Sequence, residues 1–123
     1  MIAPMPGAVL VVDDDALFRS LVRRMLLAEG LDVVGEAESV ATAIAAAHAL
    51  RPDAVLVDVG LPDGDGLSLA RELTALPWHP RVVLTSSDTD TADLDGQPDG
   101  LPFVAKDDLP DAPLRALLSV PEL

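Results

Sequence analysis

The sequence predicts an α/β fold in which a parallel β-sheet is covered by helices on both faces. Short, continuously apolar segments rich in Val and Leu alternate along the chain with segments whose apolar residues recur at helical spacing. The chain has 123 residues, enough for one ordinary domain that buries a core without disulfides or a structural metal. Right-handed crossovers between the strands would make the sheet doubly wound.

The first part of the chain contains two predicted strands and two predicted helices. The apolar run at 8–12 predicts the first strand. Five apolar residues at helical spacing predict the first helix: Phe18, Leu21, Val22, Met25 and Leu26. Gly30 ends this helix, 31–37 predicts the second strand, and Ser39 can cap an Ala-rich helix that runs to about Leu50.

The second part repeats the alternation after Pro52. Strands are predicted at 54–58, 82–86 and 101–105, and the third helix from Asp65 to Leu76. A last helix is predicted from about Pro110 to Ser119. The predicted sheet therefore has five strands.

Charge and composition exclude several classes of function. The chain has 8 basic and 21 acidic residues and a net charge of −13, so we expect no direct binding of nucleic acid by this domain. Two Phe, one Trp and no Tyr exclude an aromatic platform for single strands. Without a leader sequence, cysteine or an apolar run of roughly 20 residues, the chain is expected to be cytoplasmic, with no membrane partner.

Polar residues stand at the carboxyl ends of four predicted strands: Asp13, Asp14 and Asp15 at the first, Asp58 at the third, Thr85 at the fourth and Lys106 at the fifth. Singly, Asp15 could be a helix cap, Thr85 an ordinary strand residue and Lys106 solvated surface. Together they would converge beside one edge of the sheet, where ligands of such folds bind. Two carboxylates about 4 Å apart repel by about 4 kcal/mol at an effective dielectric constant near 20, so the cluster needs solvent, a proton or a cation. Carboxylates from two strands would suit a hard divalent cation, which is our prediction.

Four motifs occur in order along the chain: VLVVDDDALFR, VLVDVGLPDGDG, VVLTSS and FVAK. With them, the chain from Ala8 to Val120 resembles the receiver domain of two-component response regulators. The resemblance implies a flavodoxin-like, five-stranded sheet in the order 2-1-3-4-5, and transfer of a phosphoryl group from a histidine kinase to an aspartate. It divides the chain into an N-terminal extension (1–7), the receiver domain (8–120) and a C-terminal tail (121–123).

The resemblance also implies roles for the acidic residues. Asp58 would be the phosphoacceptor. Asp14, Asp58 and the backbone carbonyl of Gly60 would bind Mg²⁺ directly, and Asp13 would act through a metal-bound water. Asp15 would then be a helix cap, although an Asp14/Asp15 metal pair is the alternative register.

The remaining strand-end residues would act on the phosphoryl group. Lys106 would bind it as a point charge, and Thr85 would turn inward to donate its hydroxyl. Phe103 fits the aromatic reporter position of the family or is plain core. Asp107 follows the lysine where many receivers have proline, which resembles the subgroup that precedes helix-turn-helix output domains.

Two segments bear on partners. In the family the first helix docks a histidine kinase or phosphotransfer protein, and we expect Leu17, with Arg19 and Arg23, to help form that surface. The segment 88–100, where the family has its fourth helix, contains Gly and Pro and predicts a short or disordered helix. Because that region forms the usual dimer of the family, a monomer or an atypical dimer is expected.

Three functions compete at this point. The first is a phosphorylatable signalling receiver, which is a phosphoacceptor and not an enzyme, although it can assist its own phosphoryl uptake and hydrolysis. The second is a receiver-like interaction module that works without phosphorylation. The third is an aspartate-dependent phosphatase, which we rank last because Gly60 stands where its second acid would be.

Overall fold

The structure is a computed structural model and describes residues 8–86 and 101–118. The predicted extension at 1–7 and tail at 121–123 lie outside the described residues. So does the segment 88–100, for which a short or disordered helix was predicted.

Five parallel strands form the central sheet: β1 (Ala8–Val12), β2 (Asp32–Ala37), β3 (Ala54–Asp58), β4 (Arg81–Ser86) and β5 (Phe103–Ala105). Their order across the sheet is β2-β1-β3-β4-β5. The predicted doubly wound α/β fold and its strand order 2-1-3-4-5 are therefore confirmed. The winding reverses between β1 and β3, so the carboxyl ends of these two strands form the expected ligand-binding edge.

Helices cover both faces of the sheet: α1 (Ala16–Ala28), α2 (Val40–Leu50), α3 (Gly66–Thr74) and a short C-terminal helix (Leu114–Leu118). Asp15, Ser39 and Asp65 cap the first three of these helices with their side chains. Each satisfies backbone N–H groups that have no partner inside the helix. None of the helices within the described residues has the length and apolar character needed to cross a membrane.

Three predicted elements begin or end at other residues in the structure. The third helix ends at Thr74 and not at Leu76, and the fifth strand begins at Phe103 and not at 101. The last α-helix does not begin near Pro110, because Lys106–Asp111 forms a 3₁₀ helix that contains this proline. Ala112 has a ψ of 148°, the extended conformation that is favoured before a proline, and it separates the two helices.

The core consists of two layers, because alternate residues of a strand face opposite sides of the sheet. Leu10 and Val12 of β1 belong to the layer under α2 and α3. Val9 and Val11 belong to the layer under α1 and the C-terminal helix. This double burial fixes the position of β1, and with it the acidic residues that follow the strand.

The single tryptophan lies near the amino-terminal ends of the strands. Trp78 donates a hydrogen bond from Nε1 to the backbone carbonyl of Pro52, which precedes β3, at 2.9 Å. The guanidinium carbon of Arg51 lies 4.6 Å from the centroid of the indole ring. The ring of His48 meets the indole edge to face, with the centroids 6.2 Å apart. These contacts connect the end of α2 to the turn before β4.

Candidate functional site

The first acidic residue after β1 is held by the backbone around it. Asp13 is 1% exposed, and its backbone N–H donates to the carbonyl of Ala37 at 2.9 Å. Its carbonyl accepts a hydrogen bond from Arg19 Nη1 at 2.5 Å, and its side-chain Oδ1 accepts one from the N–H of Asp15 at 2.8 Å. These contacts hold the turn, while the neighbouring Asp14 is exposed.

Asp58 is the last residue of β3 and is 5% exposed. Its Oδ1 accepts a hydrogen bond from the backbone N–H of Gly60 at 3.0 Å. Gly60 itself is exposed and begins a short antiparallel hairpin after β3, in which Gly60–Leu61 pairs with Gly64–Asp65. The strand therefore presents one buried carboxylate, with an accessible stretch of backbone two residues further on.

The structure brings together the three predicted acidic ligands. Oxygens of Asp13, Asp14 and Asp58 all lie within 4.8 Å of one another. Asp15 instead accepts hydrogen bonds from the N–H groups of Leu17 and Phe18, at 3.0 and 3.3 Å, so it acts as the cap of α1. This division of the acidic triplet favours the Asp13/Asp14 register over the Asp14/Asp15 pair.

The donor set suits a hard divalent cation. Mg²⁺ prefers octahedral oxygen ligands and keeps several waters, so a few carboxylate oxygens at an open edge are sufficient. Oδ2 of Asp13 is buried, and no group within the described residues makes a hydrogen bond to it. The ammonium nitrogen of Lys106 lies 2.7 Å from this oxygen, but without the alignment of a hydrogen bond. One ammonium faces three carboxylates, so the site has negative charge left for a cation.

Lys106 follows β5 directly and points into the acidic cluster. Its Nζ is 2.7 Å from Asp13 Oδ2 and 3.5 Å from Asp58 Oδ2, and its side chain is 13% exposed. The ammonium also lies 4.2 Å from the centroid of the Phe18 ring. Lysine is therefore in contact with both buried carboxylates.

Thr85 stands beside Asp58 in the sheet. The two residues are register partners of β4 and β3, and Thr85 is 1% exposed. The carbonyl of Thr85 accepts a hydrogen bond from the N–H of Val59 at 2.9 Å. Phe103, which precedes Lys106 by three residues, is partly buried against the core layer of α2 and α3. Thr85 therefore lies on the strand next to that of Asp58, and Phe103 lies on the strand after it.

Burial and charge set the titration of the two central groups. Burial raises the pKa of Asp58 above its ordinary value, and the carboxylate of Asp13 raises it further, against the lowering effects of the Gly60 N–H and Lys106. Burial alone would lower the pKa of Lys106, but the carboxylates of Asp13 and Asp58 raise it above its ordinary value. The ammonium therefore stays charged at neutral pH.

A glycine allows the third helix to approach the phosphoacceptor strand. A Cβ on Gly66 would lie 2.3 Å from the backbone carbonyl oxygen of Asp58 and 2.5 Å from Cα of Val59. Among the described glycines only Gly30 has a positive φ, at 80°, so close approach of the backbone, and not a left-handed conformation, is the reason for Gly66.

Asp63 has a role that the sequence did not reveal. Its carboxylate accepts hydrogen bonds from the N–H groups of Val40 and Ala41, at 2.7 and 3.2 Å, at the start of α2. The bond from Val40 is the main reason that the pKa of Asp63 is lowered. Asp63 thus ties the loop after β3 to a neighbouring helix. No local pattern signals this contact, because the partners are 23 residues apart in the chain.

The predicted docking face of α1 is only partly available. Leu17 is 82% exposed and Leu21, one turn later, is 52% exposed. Arg19 and Arg23 instead bind the carboxylate of Glu36, at 2.9 and 2.7 Å. Of the three residues predicted for this surface, Leu17 is therefore exposed, while Arg19 and Arg23 already have an intramolecular partner.

Fold and site together define a small α/β domain whose sheet carries a buried carboxylate, an acidic cluster that could hold a metal ion, and a lysine at one edge. The chain belongs to the response regulator receiver domain family, which matches it over residues 9–98. Members of this family act in two-component signalling as phosphoacceptors, which is the function expected from the motifs.

Individual relatives agree with this assignment. The chain is 46% identical over 87 residues to the DNA-binding transcriptional activator DevR/DosR of Mycobacterium tuberculosis, a match that covers 70% of this chain and 40% of that protein. It is 31% identical over 83 residues to the chemotaxis protein CheY of Bacillus subtilis, covering 68% and 69% of the two chains. The solved signal receiver domain of NarL from Mycobacterium tuberculosis is similar with a TM-score of 0.77 and 31% identity, over 93% of this chain and 98% of that one.

The relatives differ in what accompanies the receiver. The chain spans less than half the length of several curated relatives that it matches. CheY, in contrast, is matched over more than two thirds of its length. Membership of the receiver family therefore does not define an output.

Proposed function

We propose that Asp58 accepts a phosphoryl group from a histidine kinase or phosphotransfer protein and that Mg²⁺ assists the transfer. The observation that carries this proposal is the cluster of Asp13, Asp14 and Asp58 beside the Lys106 ammonium. Asp14, Asp58 and the carbonyl of Gly60 would bind the ion directly, and Asp13 would bind it through water. The bound ion would supply positive charge against the phosphoryl oxygens.

The chemistry of the chain's own residues follows from their positions. One oxygen of Asp58 attacks phosphorus, a bond from this oxygen to phosphorus forms, and the bond from phosphorus to the donor's imidazole nitrogen breaks, leaving its electron pair on that nitrogen. The hydrogen bond from Gly60 N–H orients Asp58 through Oδ1. Lys106 lies on the side of Oδ2, where its charge stabilises the phosphoryl oxygens.

We infer that Thr85 and Phe103 transmit the conformational change that follows phosphorylation of Asp58. Thr85 is the register partner of Asp58, so its hydroxyl would reach another phosphoryl oxygen after a small movement of β4. Phe103 lies on β5, which pairs with β4, and its ring is only partly buried, so it would follow this movement. Conformational switching would thus begin in β4 and β5.

For the partner surface, we propose the start of α1. Leu17 and Leu21 are exposed apolar residues in the first two turns of this helix, which begins two residues after Asp14. An apolar pair in that place suits the helical bundle of a kinase or phosphotransfer protein. Arg23 would contribute less than its charge suggests because it already binds Glu36.

The wider context is also a proposal. We propose a receiver domain at 8–120, flanked by an extension and a tail, in a cytoplasmic protein that is a monomer or an atypical dimer. Asp107 after the lysine, together with the similarity to DevR/DosR, supports the subgroup that precedes helix-turn-helix output domains. DNA binding would then belong to that output domain. The receiver itself is proposed not to be an enzyme beyond its own phosphoryl uptake and hydrolysis.

The test is incubation with Mg²⁺ and acetyl phosphate or beryllofluoride, followed by mass spectrometry or NMR. We expect modification or ligation at Asp58, its loss in Asp58→Asn, and its retention in Asp15→Asn, which changes only a helix cap. A folded but inert wild-type protein would favour the receiver-like interaction module. Repeated turnover of an external phosphate ester would favour the phosphatase.

A further inference from the structure

The ring of Phe18 lies against the lysine of the site. Lys106 Nζ is 4.2 Å from the centroid of this ring, within the range of a cation–π contact. Phe18 is the third residue of α1, and its N–H donates to the capping carboxylate of Asp15 at 3.3 Å. The ring therefore sits on a helix end whose position is fixed by its cap.

The ammonium of Lys106 is enclosed by two kinds of group. Asp13 and Asp58 contact it at 2.7 and 3.5 Å, and the face of the Phe18 ring contacts it as well. The lysine side chain is only 13% exposed, although lysine side chains usually extend into solvent. Phe18 also packs against the core layer of α1, so the ring is supported from behind.

An aromatic ring has a property here that another apolar residue lacks. Its face is electronegative and attracts the cation, but it offers no anionic oxygen to compete with an incoming phosphoryl group. A leucine would fill space without this attraction. A carboxylate would attract the ammonium but would add repulsion to a site that already holds three acids.

We propose that Phe18 is a positioning residue that holds the Lys106 ammonium where it meets the phosphoryl group. This inference rests on the proposed phosphoacceptor function. Phe18 acts only through Lys106. Lysine is a long, flexible side chain that loses rotamer freedom when it is fixed. If the ring already holds the ammonium in place, less conformational entropy is lost when the ammonium binds the phosphoryl oxygens.

The first test measures the affinity for beryllofluoride in the presence of Mg²⁺. We expect Phe18→Leu to weaken binding roughly threefold to tenfold and Phe18→Tyr, which keeps the ring face, to stay near the wild type. Met25→Leu is the matched control, since Met25 packs against the same core layer two turns along α1. Equal affinity in the wild type and Phe18→Leu would overturn the inference and leave the proposed function intact. Absence of binding by the wild type would overturn the proposed function itself.

A double-mutant cycle separates positioning from a structural role. In a Lys106→Met background, Phe18→Leu is expected to cause no further loss of affinity, because the ammonium is gone. Equal losses in both backgrounds would show that Phe18 acts on the fold alone.

A further readout needs no substitution at Phe18. The ring current should shift the Lys106 ε-methylene protons upfield in the wild-type NMR spectrum. Unshifted protons would overturn the contact, even if Phe18→Leu failed to fold.

Discussion

Arg19 bridges the backbone of the acidic turn and the edge of the sheet. Its Nη1 donates to the carbonyl of Asp13 at 2.5 Å, while its Nε pairs with Glu36 at 2.9 Å. The Arg19 side chain is 16% exposed, so this contact is shielded in part from solvent. The position of the first acidic ligand candidate therefore depends on a residue of α1 that is not itself in the cluster.

We expect Arg19→Gln to destabilise the protein and the acidic turn. Loss of a hydrogen bond to a charged group costs about 1.5 to 3 kcal/mol in the free energy of unfolding. Urea denaturation with and without Mg²⁺ measures both the loss and the stabilisation by the ion. Arg24→Gln, on the exposed part of the same helix, is the matched control and should change stability by less than about 0.5 kcal/mol. Equal stability of the two variants would contradict this role of Arg19.

The ion pairs of Glu36 should make the free energy of unfolding depend on pH. The hydrogen bond from Arg23 is the largest cause of the lowered pKa of Glu36, so the folded pKa lies below the ordinary value of 4.5. The stabilisation is therefore complete above about pH 4.5 and is lost as the pH falls through the folded pKa.

We expect Glu36→Gln to be less stable than the wild type at pH 7 by at most about 1 kcal/mol, because the pair is partly exposed. The free energies of unfolding of the two proteins should become equal in acid. Denaturation curves across this pH range measure the difference, and a gap that stays constant into acid would argue against the ion pairs as its source.

Asp63→Ala should lower the melting temperature. The substitution leaves the N–H groups of Val40 and Ala41 without their carboxylate acceptor at the start of α2. Asp32→Ala removes the same charge from an exposed position of β2 and serves as the control. Because the pKa of Asp63 is lowered in the folded state, the difference between wild type and variant should shrink in acid. Thermal unfolding followed by circular dichroism at two pH values provides the measurement.

Gly66→Ala should destabilise the protein despite the better helix propensity of alanine. The new Cβ would lie 2.3 Å from the Asp58 carbonyl oxygen, and such overpacking costs about 1 to 3 kcal/mol. Alanine returns at most about 1 kcal/mol of helix propensity. Gly60→Ala is the control for stability, since its Cβ would meet Asp58 Oδ1 at 3.8 Å, an ordinary contact. Equal free energies of unfolding would show that α3 can retreat from β3 at no cost.

Leu17→Asp should separate partner docking from chemistry. We expect phosphotransfer from a cognate kinase or phosphotransfer protein to fall roughly tenfold, because an exposed apolar contact is replaced by a charge. Uptake from acetyl phosphate should not change. Leu50→Asp, an exposed leucine at the end of α2, is the control. Unchanged transfer from the protein donor would remove Leu17 from the proposed surface.

The sequence predicted the sheet and the acidic cluster because both depend on local pattern. The run from Ala54 to Asp58 is apolar up to its last residue, and parallel strands end at a common edge. The separation of Asp15 from Asp13 and Asp14 was also predictable, since an Asp before a helix can satisfy free N–H groups.

Contacts between distant segments were not predictable in the same way. Asp63 accepts a hydrogen bond from the N–H of Val40, 23 residues away in the chain, and no spacing within the loop indicates that contact. The contact of Phe18 with Lys106 depends on how α1 packs against the end of β5. The predicted start of the last helix was wrong because Pro113 keeps Ala112 extended, which separates a 3₁₀ helix from the α-helix inside one apolar pattern.

The position of Trp78 determines what intrinsic fluorescence will report. The chain has one Trp and no Tyr, so its emission comes from a single indole bound to the carbonyl of Pro52, before β3. The acidic cluster lies after β3, roughly 15 Å away along a five-residue strand. An ion at that distance does not quench the indole by contact. A change in emission upon phosphorylation would therefore report a conformational change that reaches the surroundings of Trp78, and an unchanged spectrum would fit a response confined to the carboxyl ends of the strands.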